Sequence, residues 1–173
     1  MSRFAQALIA LTIVTSVTYG VLIWLGTTGL VTKPEGMKPF DLRPMGYSFD
    51  EAQALLRGLD AEAIALYGGL LRRIDTAFPV LLALWLGAMT WWGSVGLNTW
   101  SRVILLVVPA SYAIMDLAEN ALIGTMLRLG PDAITPDLVS RASSYTISKY
   151  VTVSVAFVVM IAMIIGKFRR NAV

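Results

Sequence analysis

Asp116, Glu119, Asn120 and Lys149 interrupt sequence that is otherwise apolar. The first three lie in the run VILLVVPASYAIMDLAENALI, 103–123, which reads as a membrane-spanning helix. A carboxylate placed in hydrocarbon costs several kcal/mol, so such residues persist where they are paired, hydrated or used. Asp116 and Glu119 are three residues apart and Asn120 follows Asp116 by four, so a helix carries all three on one face. Tyr112, four residues before Asp116, extends that stripe. The chain has no His and no Cys. Acid–base work therefore falls to carboxylate, Lys or Tyr. Thiol chemistry, haem ligation through His or Cys, and the usual zinc sites are excluded. A carboxylate site for a hard divalent cation would face competition from Lys149, so no metal and no cofactor is expected.

The elements that must position these groups follow from composition. Of 173 residues, 57% are apolar and 14% charged, against about 25% charged in an ordinary soluble domain. Mean hydropathy is +0.70. The apolar residues fall in long runs, which is the pattern of an integral membrane protein. Four spans are expected, at about 4–30, 77–95, 103–127 and 145–166, in one membrane domain covering the chain. The first run follows Arg3, but it is too long for a signal peptide and has no good cleavage site, so it reads as an uncleaved span. The formal charge of +3 does not point to nucleic acid, because Lys167, Arg169 and Arg170 lie just past the last apolar run as an orientation signal.

Between the first two spans lies a polar insert, 31–76, with Pro34, Pro39 and Pro44 in its first part. Ser48 and Glu51 fit a capping box opening a helix over about 49–59. Asp60 caps a second helix, with Ile64, Tyr67, Leu71 and Ile74 at helical spacing. This helix either lies on the membrane or runs straight into the second span. Pro79 enters that span, Pro109 bends the third, and Gly130-Pro131 ends it. Thr135-Pro136-Asp137 starts the last helix. Ala83-x-x-x-Gly87 reads as a tight-packing pattern. The fold expected is all-α, a polytopic four-transmembrane-helix bundle with a helical extracytoplasmic insert. Arg3, Arg102, Lys167, Arg169 and Arg170 are concentrated near span ends on one side, whereas the basic residues of the other side are diluted by acids. Both termini are therefore expected in the cytoplasm.

With that topology, residues far apart in sequence meet in one layer. Asp116–Asn120 lies past the midpoint of the third span, and Lys149 about four residues inside the fourth. Asp75, beside Arg72 and Arg73, sits at the outer mouth of the second, with Tyr67 and Tyr145 on the same side. Two readings follow. In one, Lys149 neutralises a single acid and Asn120 bonds a neighbouring helix, as interhelical glue worth about 0.6–2 kcal/mol. In the other, two acids against one lysine leave charge unbalanced and mark a water-accessible cavity.

At these residues a resemblance is visible. DLRPMGYSFDEAQALL (41–56), RRIDTAFPVL (72–81), MDLAENALI (115–123) and YTISKY (145–150) resemble a group of bacterial four-span proteins described only as integral membrane proteins. The D-x-x-E-N run with a downstream Lys is the most specific part. The resemblance implies Asp75, Asp116, Glu119, Asn120 and Lys149 as site positions, a bacterial inner membrane as the location, and no particular reaction. The chain departs from that group at Ala63-Ile64, where a Gly-Arg pair is expected.

Four functions fit these residues. The preferred one is a polar intramembrane site near the outer leaflet that binds lipid or a small ligand, built from Asp116, Glu119, Asn120, Lys149, Asp75, Tyr112, Tyr67 and Arg72. The others are a lipid-modifying enzyme using carboxylates, a subunit of a membrane complex or homo-oligomer, and proton or ion translocation. Translocation is the poorest fit, since Val103–Val108 carries nothing polar through the inner half.

Overall fold

The computed structural model describes residues 2–30 and 36–171; Pro34 and the start of the insert lie outside them. Within the described residues seven α-helices form: α1 (Arg3–Thr28), α2 (Phe49–Gly58), α3 (Ala61–Leu66), α4 (Arg72–Gly93), α5 (Thr99–Leu105), α6 (Val107–Leu129) and α7 (Pro136–Asn171). A π-helical turn, Tyr67–Leu71, joins α3 to α4. Four helical stretches are long and apolar enough to cross a membrane: Arg3–Thr28, Ala61–Gly93, Thr99–Leu129 and Pro136–Arg170.

Local chemistry sets the helix starts. Ser48 and Glu51 form the reciprocal capping box, with the Ser48 amide 2.7 Å from Glu51 Oε2 and the Glu51 amide 3.2 Å from Ser48 Oγ. That amide hydrogen bond holds the Glu51 carboxyl below its ordinary value. Asp60 accepts from the Ala63 amide at 2.8 Å. The helix it caps does not lie flat: it continues through the π turn into α4 as one apolar stretch. Asn98 opens the third long stretch, accepting from the Ser101 amide at 2.9 Å. That stretch breaks at Leu106, between α5 and α6, because Pro109 has no amide to offer the Leu105 carbonyl. The second stretch ends at Gly93 rather than at residue 95, and Val95 and Leu97 belong to the turn that follows.

α4, α6 and α7 pack on one another, and α1 packs on α4. α1 runs antiparallel to α4. Trp85 Nε1 donates to Thr12 Oγ1 at 2.9 Å, Tyr19 stacks on Phe78 at 5.5 Å, and Gly29 lies against Leu66. The start of α1, the end of α7 and the 94–98 turn therefore share one end of the molecule, and the described part of the insert covers the other. At the α4–α7 crossing a side chain on Gly93 would meet the Ile164 amide at 2.9 Å, so the helices touch there. Ala83-x-x-x-Gly87 serves a looser contact, with Gly87 against Leu106 and Pro109.

Beneath the insert lies a core of Phe40, Leu55, Leu56, Tyr67, Met126 and Val139 with their neighbours. It seats α2 on the ends of α6 and α7. Gly46, at φ 79°, lets the chain pass against Ser143, whose Oγ accepts from the Tyr47 amide at 2.8 Å. Burial there pushes the Tyr47 hydroxyl above its ordinary value.

Candidate functional site

Glu119 is the pivot of the polar layer. It is 0% exposed, and each carboxylate oxygen has a partner on α7. Thr146 Oγ1 donates to Oε1 at 2.6 Å, and Lys149 Nζ lies 2.5 Å from Oε2. Lys149, 7% exposed, also stands 3.9 Å from Asp116 Oδ1. The three-residue spacings 116/119 and 146/149 put these groups on facing stripes of α6 and α7. A buried ion pair of this kind survives only with its remaining hydrogen bonds in place, and Thr146 supplies one.

Asn120 ties α6 to α4 through a proline effect. Pro79 has no amide, so the carbonyl four residues earlier, that of Asp75, has no intrahelical donor. Asn120 Nδ2 donates to that carbonyl at 3.1 Å and to Asp116 Oδ1 at 3.4 Å. One side chain thus satisfies a backbone acceptor on α4 and steadies a carboxylate on α6.

The insert closes the layer from above. Tyr67, presented by the π turn, accepts from the Phe40 amide at 3.1 Å and donates to Asp41. Tyr150 donates to the Asp41 carbonyl at 2.8 Å. Two tyrosines from two long stretches thereby pin the turn Phe40–Leu42 over the helices. Tyr67 lies on the π turn, and single π turns within helices are frequent at functional sites.

Below the pinned turn is a cavity of about 510 Å³ between α1 and the α4–α6–α7 core. Its polar end is lined by Asp41, Asp75, Asp116, Lys149, Tyr112 and Tyr150. Its body is lined by Phe78, Leu82, Trp85, Val153 and Phe157, with α1 forming the outer wall. The volume is that of a small-ligand site with few polar groups at one end.

Of the residues expected at the site, Asp116, Glu119, Asn120, Lys149, Asp75 and Tyr112 come together in this layer, and Tyr67 braces its roof. Arg72 does not join them. Its guanidinium lies over Gly124, in a separate groove that also includes Gly68, Gly69 and Arg128. A helix turns 100° per residue, so Arg72 and Asp75 sit close on one surface, yet the long arginine reaches across to α6 instead. Tyr145 is half-buried and does not line this cavity, while Tyr150 does.

Asp41, Thr146 and Tyr150 belong to the site and were not singled out from sequence. Thr146 was legible, being three residues before Lys149 on one face. Asp41 sits in a polar, proline-punctuated stretch where an acid is unremarkable, and only the return of that stretch over the helices gives it meaning. Among known proteins, no family model, no curated protein and no solved structure matches this chain.

Proposed function

We propose that this is a multi-pass integral membrane protein that holds an amphipathic ligand, of the size of one lipid chain, in the cavity behind α1. The cavity itself carries the proposal: about 510 Å³ with acids, a lysine and tyrosines at one end and aromatic and aliphatic side chains along the rest. A lipid-like molecule divides in the same way, with a polar head and an apolar body. Binding fits better than translocation. Beneath Tyr112 the layer is packed by Leu86, Ala156 and Met160, with Val108 and Val153 against them, and a conducted ion needs polar groups through such a layer.

The proposal includes an orientation. The four long helices form a bundle, the insert faces the extracytoplasmic side, and both termini face the cytoplasm. Arg102, Lys167 and Arg170 gather at the end opposite the insert. There Arg102 stacks on Trp91 at 3.7 Å and Lys167 on Trp92 at 3.4 Å. A basic end rimmed by tryptophan suits the cytoplasmic interface. The resemblance to bacterial four-span proteins adds the inner membrane as the location.

Two measurements test this. Gly26 lines the cavity and has open space where a side chain would go, whereas Gly20 has open space but is not part of that lining. Gly26→Phe should displace co-purifying lipid in native mass spectrometry, and Gly20→Phe should not; equal lipid occupancy in both variants would refute the binding site. For the orientation, the chain has no native Cys. A single Met45→Cys in the insert should react with an impermeant thiol reagent added outside intact cells, and Asn98→Cys only after permeabilisation. The reverse pattern would invert the topology.

A further inference from the structure

We infer that the polar end of the cavity is built for an ammonium group, so that the ligand is a long-chain amine rather than a neutral or anionic lipid. The inference rests on the binding reading above and names the chemistry of its ligand. Three aspartates from three elements face the cavity: Asp41 from the pinned turn, Asp75 from α4 and Asp116 from α6. The cation beside them is Lys149, and its Nζ is 2.5 Å from Glu119, which is not part of the lining, against 3.9 Å from Asp116. Lys149 is therefore shared between Glu119 and Asp116, and one lysine cannot balance four acids. No arginine or lysine among the described residues forms an ion pair with Asp41 or Asp75. Carboxylates gathered at the head of an apolar cavity call for a counter-cation.

The shape of the set favours an organic cation. Among the described residues no three acidic groups converge closely enough to hold a metal ion. An ammonium has several N–H donors that can reach separated acceptors, and the ring of Tyr112 lines the same end, where a cation over an aromatic face is favourable; the ring of Tyr150 already has Lys149 Nζ 5.6 Å from its centroid.

A second observation also points to an occupant. Thr15 is 7% exposed, lines the cavity from α1, and its Oγ1 has no hydrogen-bond partner. A buried hydroxyl without a partner is costly. Thr15 lies between Thr12, which receives Trp85, and Tyr19, which stacks on Phe78, so it stands level with Leu82. At about 1.5 Å rise per residue, that is roughly 10 Å below Asp75. A ligand whose amine sits among the aspartates and which carries a hydroxyl, ester or amide group about that far along its length would satisfy both ends.

The test compares hexadecylamine, hexadecanol and hexadecanoate as probes of the full-length protein in nanodiscs, read by isothermal titration and by the shift in unfolding temperature. The amine should bind about tenfold or more tighter than the alcohol, as expected for a desolvated charge pair, and the acid weakest. Asp75→Asn and Asp41→Asn, made singly, should each shrink the amine-to-alcohol ratio. Equal affinity for amine and alcohol in the wild type overturns the ammonium assignment, and so does a ratio unmoved by both substitutions. In those cases the cavity still binds an amphiphile. If instead Gly26→Phe leaves the affinity for every probe unchanged, the cavity reading itself has failed.

Discussion

α1 and α6 are helices of similar length, 26 and 23 residues, and both lie in stretches apolar enough to span a bilayer. They differ in what they bury. α6 buries nine residues, among them Tyr112, Asp116, Glu119 and Asn120, between α4 and α7. α1 buries Thr15 alone and packs mainly on α4. One helix is the centre of the molecule, and the other is a wall leaning against it. A cavity forms where the two regimes meet, because α1 is held too loosely to fill the space beside the polar layer. Polar groups on α6 are therefore structural and on display at once, whereas those on α1 matter only where they face inward.

The largest effect that would sharpen this contrast is on Lys149 and Glu119. Lys149→Met should destabilise the protein by about 3–5 kcal/mol, since it leaves Glu119 buried without its cation. The double variant Lys149→Met/Glu119→Gln should recover much of that loss in the same thermal unfolding series. An unchanged unfolding temperature for Lys149→Met would mean that α6 and α7 are not held by this pair.

Next in size is the proline-linked bond. Asn120→Ala should cost about 1–3 kcal/mol by orphaning the Asp75 carbonyl. In a Pro79→Ala background the restored amide can reach that carbonyl, so the same substitution should cost clearly less. A double-mutant cycle with no coupling between 79 and 120 would separate the two features.

The insert is expected to respond more weakly. Ser48→Ala should lower stability by about 1 kcal/mol through loss of the α2 cap. Its pH dependence follows from Glu51. Because the folded pKa is lowered, the cap's contribution is fully present above the unfolded carboxylate value and is lost as pH falls through the lower folded one. Wild type and Glu51→Gln should therefore converge in stability as pH falls through that lowered value, whereas the Ser48→Ala deficit should persist, because the Ser48 amide that holds Glu51 is kept in Ser48→Ala and the lost Oγ cap does not titrate. A gap between wild type and Glu51→Gln that persisted in acid would mean that the Glu51 charge contributes nothing to the cap.

α1 should be the least sensitive. Val17→Ala, at a side chain 60% exposed, should change stability by no more than about 0.5 kcal/mol. A loss comparable to that of Lys149→Met would erase the distinction between wall and centre.

Sequence by itself determined the four long apolar helices, the caps at Ser48, Asp60 and Thr135, and the shared face of Asp116, Glu119 and Asn120. Each of these is a matter of near neighbours, set by helical periodicity and by hydrogen bonds reaching three or four residues. Sequence also held a clue to the Asn120 bond, since a proline four residues after Asp75 frees that carbonyl. The identity of the donor was not contained in it. Tertiary structure alone decided that Asp41 returns over the helices, that Arg72 turns away to Gly124, that Tyr150 rather than Tyr145 faces the site, and that α1 stands off far enough to leave a cavity. Those outcomes depend on how long side chains and whole helices share space, and the free energies that choose between such arrangements come from contacts between residues distant in the chain.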